Sequence, residues 1–185
     1  MLTAHQVLHG YTIGIFPMAD PDEDNQLFWY EPKLRGILSL DEFHCPKNLK
    51  KLYEKGGFNY LINNDFEATI KACADREETW ISDEIIEVYS ALNQMGYAHS
   101  FEVYQENELV GGLYGVALGK IFFGESMFHK VSNASKLALC FLVDWLKQNH
   151  FTLLDCQFQT QHLKQFGVKE LPQKQFLNLL KQALK

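Results

Sequence analysis

The sequence predicts an α+β fold: a central sheet flanked by helices. Three observations point to it. Between residues 98 and 128 apolar residues alternate with others, and the pattern breaks at Gln105-Glu106-Asn107-Glu108 and at Gly119. That is the signature of three consecutive antiparallel strands. On either side the hydrophobic spacing becomes helical, with capping residues at the starts and glycines at the ends. Finally, no linker, internal repeat or low-complexity tract divides the 185 residues, a length that supports one well-buried core with at most a small satellite.

The elements follow in order. Thr3 caps a short amphipathic helix in which Val7, Leu8 and Tyr11 share a face, and Gly14 ends it. Pro17 holds Phe16 extended. Residues 19–26 form an acidic turn, and residues 27–30 a compact aromatic strand broken at Glu31-Pro32-Lys33. A strand resumes over 36–40. Pro46 suits the first turn of a helix over Lys47–Lys55, whose outer face carries Lys47, Lys50, Lys51 and Lys55. Gly56-Gly57 stops it, and residues 58–63 alternate as a strand. Asp65 caps the next helix, Phe66–Ala74, with Phe66, Ile70 and Cys73 inward. Ser82 caps another that runs to Met95, and Asp83 and Glu84 in its first turn complement the helix dipole.

The three strands come next, over 98–104, 109–118 and 120–128. Gly111, Gly112 and Gly115 inside the middle strand predict a bulge or a close approach of another segment. Asn133 caps a long helix over 134–149. Residues 151–156 make a buried strand whose end turns polar at Asp155 and Gln157. A short helix over 160–165 leads to Gly167, and Pro172 starts the last helix, with Phe176, Leu177 and Leu180 inward.

Composition narrows the function. A hydrophobic share of 46% with 22% charged residues fits an ordinary globular protein. A net charge of −6 argues against non-specific gripping of a nucleic-acid duplex, which needs a basic balance. Cys45, Cys73, Cys140 and Cys156 fit no zinc spacing and read as thiols of a reducing cytosol, and the seven histidines show no metal-binding spacing. No signal peptide and no apolar run long enough to span a bilayer is visible, so a cytoplasmic protein without a membrane partner is expected. Gly115 to Lys120 fails as a phosphate-binding loop: three residues rather than four separate Gly115 from Gly119, and Ile121 stands where Ser or Thr is needed. Cys156 and His162 supply the residue types of a thiol nucleophile and its base, without an elbow motif around the cysteine.

One residue stands out. Glu125 lies in Phe122-Phe123-Gly124-Glu125-Ser126-Met127-Phe128, inside an otherwise apolar strand. An ionised carboxylate is costly to bury unless it is paired or well hydrogen-bonded. Glu125 is therefore either a structural group with a partner or a group that meets a ligand's positive charge or N–H donors.

The order of elements resembles the acyltransferase fold of the N-acetyltransferase (GNAT) type, in which substrates meet at a splayed sheet centre. The pyrophosphate-cradling loop of coenzyme-A-dependent members has no counterpart here. A more specific likeness runs along the chain. Gly14-Ile15-Phe16-Pro17-Met18, Trp29-Tyr30 followed by Pro32, Cys73-Ala74, Thr79-Trp80-Ile81 and Gly96-Tyr97-Ala98-His99-Ser100 come first. Leu109-Val110-Gly111-Gly112-Leu113-Tyr114-Gly115-Val116, Gly124-Glu125-Ser126-Met127-Phe128, Ala134-Ser135-Lys136 and Asp155-Cys156-Gln157 follow. In this order they closely resemble the bacterial leucyl/phenylalanyl-tRNA–protein transferases, over nearly the whole chain.

The resemblance implies an activity: transfer of Leu or Phe, and less readily Met, from aminoacyl-tRNA to the N-terminal Arg or Lys of a protein. The product is then marked for proteolysis. It implies no metal or coenzyme, a monomer, and a small N-terminal domain packed on an acetyltransferase-like one. The expected division is residues 1–31, shortened relative to the family, and residues 32–185. Gln157 is expected beside the attacking amine as a positioning group, with Asp155 polarising it. Glu125 is expected to hold the donor's α-amine or the acceptor's positive charge. Ser126 and Asn133 would supply supporting hydrogen bonds. Phe122, Met127, Leu139, Leu146 and Leu154 would line the side-chain pocket. Trp80, Tyr11 and Met18 match motifs associated with the terminal adenosine of the tRNA, and the lysine face of residues 47–55 is placed to touch the acceptor stem. Pro172-Gln173-Lys174-Gln175 replaces a stretch that often carries arginine in the family. Two other readings remain open: a related acyl or peptidyl transferase, and a non-catalytic module that binds basic N-termini.

Overall fold

The computed structural model describes residues 1–185. Helix α1 (Ala4–Thr12) opens the chain with a capping box, in which the Thr3 hydroxyl accepts from the Gln6 N–H and the Gln6 side chain accepts in return from the Thr3 N–H. Strands β1 (Phe16–Asp20) and β2 (Gln26–Tyr30) then form a separate two-stranded antiparallel sheet, in register from Phe16 opposite Tyr30 to Asp20 opposite Gln26.

The main sheet has seven strands: β3 (Leu34–Ser39), β4 (Asn59–Ile62), β5 (Ala98–Gln105), β6 (Glu108–Leu118), β7 (Ile121–His129), β8 (Leu153–Gln157) and β9 (Lys169–Pro172). Their spatial order is β4-β5-β6-β7-β8-β3-β9. β5, β6 and β7 form the expected antiparallel meander. Only β7 and β8 run parallel, because α5 (Ala134–Gln148) carries the chain over the sheet between them. The result is an N-acetyltransferase-like α+β fold. Strand β9 is absent from the sequence reading. It is a short edge strand, Lys169-Glu170-Leu171-Pro172, paired only with β3. Mostly exposed and largely polar, it carries no alternation, and its proline is tolerated because it lies at the edge.

Helices cover both faces. α1, α3 (Phe66–Ala74), α4 (Asp83–Gln94) and α7 (Gln173–Ala183) bury Val7, Ile70, Ile85, Leu92 and Phe176 with Phe123 of β7. On the other face α5 and α2 (Lys47–Lys55) bury Leu142, Leu146 and Leu49 with Phe101, Phe122 and Leu154 of the strands. The lysines of α2 are exposed. No helix is long and apolar enough to cross a membrane.

Two of the meander glycines have the predicted roles. A side chain at Gly111 would collide with Ala134, so the start of α5 lies directly on β6. One at Gly115 would collide with the Phe123 carbonyl and the Phe122 ring, at a register shift between Tyr114 and Gly115. Asn133 departs from expectation. It precedes α5 in the left-handed conformation, φ +67°, and its side chain makes no capping bond. It is exposed, so neither the cap nor a supporting bond to the site comes from it.

Candidate active site

Strands β7 and β8 pair at only three rungs: Ile121 with Leu153, Phe122 with Leu154, and Phe123 with Asp155. Beyond these the strands part. β8 turns toward β3, where Gln157 pairs with Gly36 across a bulge. Gly36 is required there, since a side chain would collide with the Phe158 backbone. Gln157 itself is left-handed, φ +63°, a conformation a non-glycine residue holds only when its surroundings demand it.

A cavity of about 300 Å³ fills the gap. Its apolar side is made by Leu113, Met127, Leu139, Leu142, Leu154 and Leu163. Its polar side is made by Tyr114, Glu125, Ser126, Gln157 and Arg76, and Met18, Trp80 and Phe158 also line it. Trp80 and Met18 are shared with an adjoining cavity of about 400 Å³ that Asp20, Asp22, Tyr30 and Glu78 line.

Glu125 sits at the polar wall, 8% exposed. The Tyr11 hydroxyl donates to its Oε1, and Gln157 Nε2 donates to its Oε2 at 3.0 Å. The Tyr89 hydroxyl is hydrogen-bonded in turn to that of Tyr11. No cation pairs with this carboxylate. Burial pushes its pKa up from 4.5 to about 7; the Tyr11 bond opposes the rise, the charge of Asp155 adds to it, and Gln157 and Arg35 oppose it. The group therefore changes charge near neutral pH.

Asp155 is fully buried and paired with the fully buried Arg35. Arg35 Nε and Nη2 donate to the carboxylate at 3.0 and 2.6 Å, and Nη1 donates to the Gly14 carbonyl at 2.8 Å. The guanidinium lies over the Phe16 and Phe176 rings, 4.9 and 4.3 Å from their centroids. Asp155 Oδ1 also accepts from the Gln157 backbone N–H at 2.8 Å. It thus holds Gln157 through the main chain rather than through the amide, and that bond stabilises the left-handed turn.

Of the residues expected from sequence, Glu125, Ser126, Met127, Leu139, Leu154, Gln157, Trp80 and Met18 meet at the cavity. Others do not. Tyr11 is fully buried, its ring 4.5 Å from that of Phe123 and its hydroxyl on Glu125; it has no free face for an adenine and belongs to the carboxylate's support. Phe122 is fully buried, edge-on to Phe101 at 5.8 Å. It stands at a rung where β7 and β8 still pair, so it packs in the core rather than lining the opening. Leu146 is likewise core, and Leu142, one turn earlier on α5, takes the lining position. Cys156 and His162 both line the cavity, but no hydrogen bond joins them, and burial pushes the thiol far above its ordinary range.

Sequence reasoning missed Arg35, Tyr89, Tyr114, Arg76 and Leu142. Arg35 carried the same signal as Glu125, a charge within an apolar strand, once the strand is seen to begin at Leu34. Arg76, whose Nη2 donates to Ser126 Oγ at 2.9 Å, comes from a charged loop that looked only solvated.

Comparison with known proteins shows the family. The family model described as leucyl/phenylalanyl-tRNA protein transferase matches residues 37–181, and that of the same protein's N-terminal domain matches residues 1–33. A leucyl/phenylalanyl-tRNA–protein transferase of Ruegeria pomeroyi is 48% identical over 178 residues, covering 96% of this chain and 85% of that protein. One from Paramagnetospirillum magneticum is 48% identical over 187 residues, covering 99% of this chain and 90% of that protein. Among solved structures, FemX superposes with a TM-score of 0.54 at 11% identity, over 70% of this chain and 54% of that one; this likeness is one of fold.

Proposed function

The chain belongs to the leucyl/phenylalanyl-tRNA–protein transferase family, and we infer from this and the site how it works as an aminoacyltransferase. It moves an aminoacyl group from tRNA to the N-terminus of a protein. We propose that the group is Leu or Phe, less readily Met, and that the acceptor begins with Arg or Lys. The modified protein then carries a destabilising N-terminus and enters N-degron-dependent proteolysis in the cytoplasm. The enzyme acts as a monomer, without metal or coenzyme.

The donor's side chain occupies the apolar side of the cavity, against Met127, Leu139, Leu142 and Leu154. Such a surface discriminates between side chains by about 1–3 kcal/mol per methylene and rejects polar ones through desolvation. The terminal adenosine stacks on Trp80 beside Met18. The ester then lies in the gap between β7 and β8. The acceptor's basic side chain is favoured by Asp20, Asp22 and Glu78 in the adjoining cavity.

Aminolysis of the ester needs a deprotonated amine held in line with the carbonyl carbon. Because Gln157 Nε2 donates to Glu125, its amide oxygen is left to accept from the amine and position it. Glu125 is the anion that draws the acceptor's ammonium in and accepts its proton. A pKa of about 7 suits both states to neutral pH. Nitrogen attacks, the C–N bond forms, the bond to the ribose oxygen breaks, and that oxygen takes up a proton. The observation that carries this reading is the Glu125–Gln157 pair: a buried carboxylate at a cavity wall, held by neutral donors only.

The test uses radiolabelled Leu-tRNA and Phe-tRNA with peptides that begin with Arg, Lys or Ala. Label is expected on the Arg and Lys peptides and not on the Ala peptide. Basic peptides that bind but stay unlabelled would overturn the reading in favour of a binding module.

A further inference from the structure

We propose that the Tyr114 hydroxyl donates a hydrogen bond to the donor's ester carbonyl oxygen and stabilises the negative charge that gathers there during transfer. The assignment rests on the aminoacyl-transfer reading of the same cavity.

Tyr114 is fully buried and lines the cavity. Its hydroxyl has no hydrogen-bond partner within the protein. A buried hydroxyl left without a partner costs about 1–3 kcal/mol, so its persistence needs a reason. The other buried polar side chains of the cavity wall, Glu125 and Gln157, are bonded to each other. Two more buried tyrosines pack on this side of the sheet, and both are satisfied: Tyr11 through Glu125 and Tyr89 through Tyr11. Of these three buried hydroxyls, only that of Tyr114 makes no hydrogen bond at all.

Its ring cannot swing away to find another partner. It meets Phe66 and Tyr89 edge-on, with centroids 5.9 and 5.7 Å apart. The bulge between Tyr114 and Gly115 fixes the backbone beneath it. Preorganised donors of this kind are what an active site uses where charge develops, because no reorganisation is needed during reaction.

The chemistry of the substrate selects the bonded atom. A phenol's proton needs an acceptor, and the acceptor's ammonium offers none. The ester carbonyl offers one that strengthens as the reaction proceeds. The amine's lone pair forms the C–N bond, the carbonyl π pair moves onto oxygen, and the Tyr114 hydroxyl meets that oxygen. When the pair returns, the ribose oxygen leaves and takes the proton that nitrogen has lost. Tyr114 gives up no proton in the cycle. Burial and the nearby Glu125 raise its phenol well above the ordinary value, which keeps it a donor throughout.

Tyr114→Phe tests this while preserving the ring. With Phe-tRNA and an Arg-peptide, kcat should fall about 10²-fold, the loss typical for one removed oxyanion donor. KM for both substrates should stay within about twofold, because the bond strengthens only in the transition state. The Tm should be unchanged or higher, since an unpaired buried hydroxyl has been removed. A kcat within about twofold of the parent would overturn the assignment, as would a raised KM at constant kcat, which marks a ground-state contact. A variant that fails to fold would overturn it too, by showing that the hydroxyl has a structural partner. The underlying reading fails differently: a parent protein that labels no basic peptide contradicts the transfer itself. A parent that transfers while Tyr114→Phe keeps pace contradicts the role of Tyr114 alone.

Discussion

Two buried carboxylates stand on neighbouring parallel strands, one on each side of the opening in the sheet. Asp155, on β8, is met by the Arg35 guanidinium and by the Gln157 N–H. Glu125, on β7, is met only by a phenol and an amide. Burial is similar, 0% and 8% exposed, yet the consequences differ. A cation of equal depth pairs with Asp155 and makes it part of the frame. Neutral donors offset only part of the desolvation cost at Glu125, so its protonation responds to pH and to what enters the cavity. One carboxylate holds the turn that presents Gln157; the other meets the substrate.

The strongest way to break this comparison is Asp155→Asn. It strands the buried Arg35 charge and should cost about 3–5 kcal/mol of stability, measured by urea denaturation. The double variant Arg35→Met with Asp155→Asn should recover part of the loss. A single variant as stable as the parent would deny the framing role. Glu125→Gln should do the reverse. Below about pH 5, where both side chains are neutral, stability should move by less than about 1 kcal/mol, while kcat/KM for transfer at neutral pH falls by about 10²-fold or more.

The pH dependence of stability sharpens the contrast. The pKa of Glu125 is raised from 4.5 to about 7 on folding. Between those values the folded chain holds a proton that the unfolded chain releases. The stabilising contribution is therefore fully present below the unfolded value and is lost as pH rises to about 7, by at most about 3 kcal/mol. Denaturation midpoints of the parent should fall across this window relative to those of Glu125→Gln; parallel profiles would show that Glu125 is not the titrating group. The smallest effect belongs to the apolar side. Leu142→Ala should alter the ratio of Phe to Leu transfer by about 10-fold or less, read in a competition between the two charged tRNAs, with the pH profile unchanged.

Much of the fold was legible because it rests on local signals. Thr3, Asp65 and Ser82 cap the helices they precede, and Gly111 and Gly115 mark a close approach and a bulge. The edge strand β9 was not, since it pairs through its backbone and buries little. In the site, Glu125 announced itself as a charge among apolar neighbours. The assignments that failed were those that depend on where β7 and β8 part. Phe122 lies before that point, and Leu146 lies one helical turn past Leu142, the α5 residue that reaches the cavity; neither fact is written in local periodicity. Tyr11 reads as one aromatic on a helix face, whereas its partner Glu125 is 114 residues away.

The most direct test of the central claim is the pH–rate profile of kcat/KM for Phe transfer to an Arg-peptide, in the parent and in Glu125→Gln. The parent should rise through an inflection near pH 7, set by Glu125, and through a second at about 8 set by the peptide's own α-amine. Glu125→Gln should be slower throughout and keep only the higher inflection. A variant that transfers at the parent's rate, with both inflections in place, would contradict Glu125 as the titrating anion of the site.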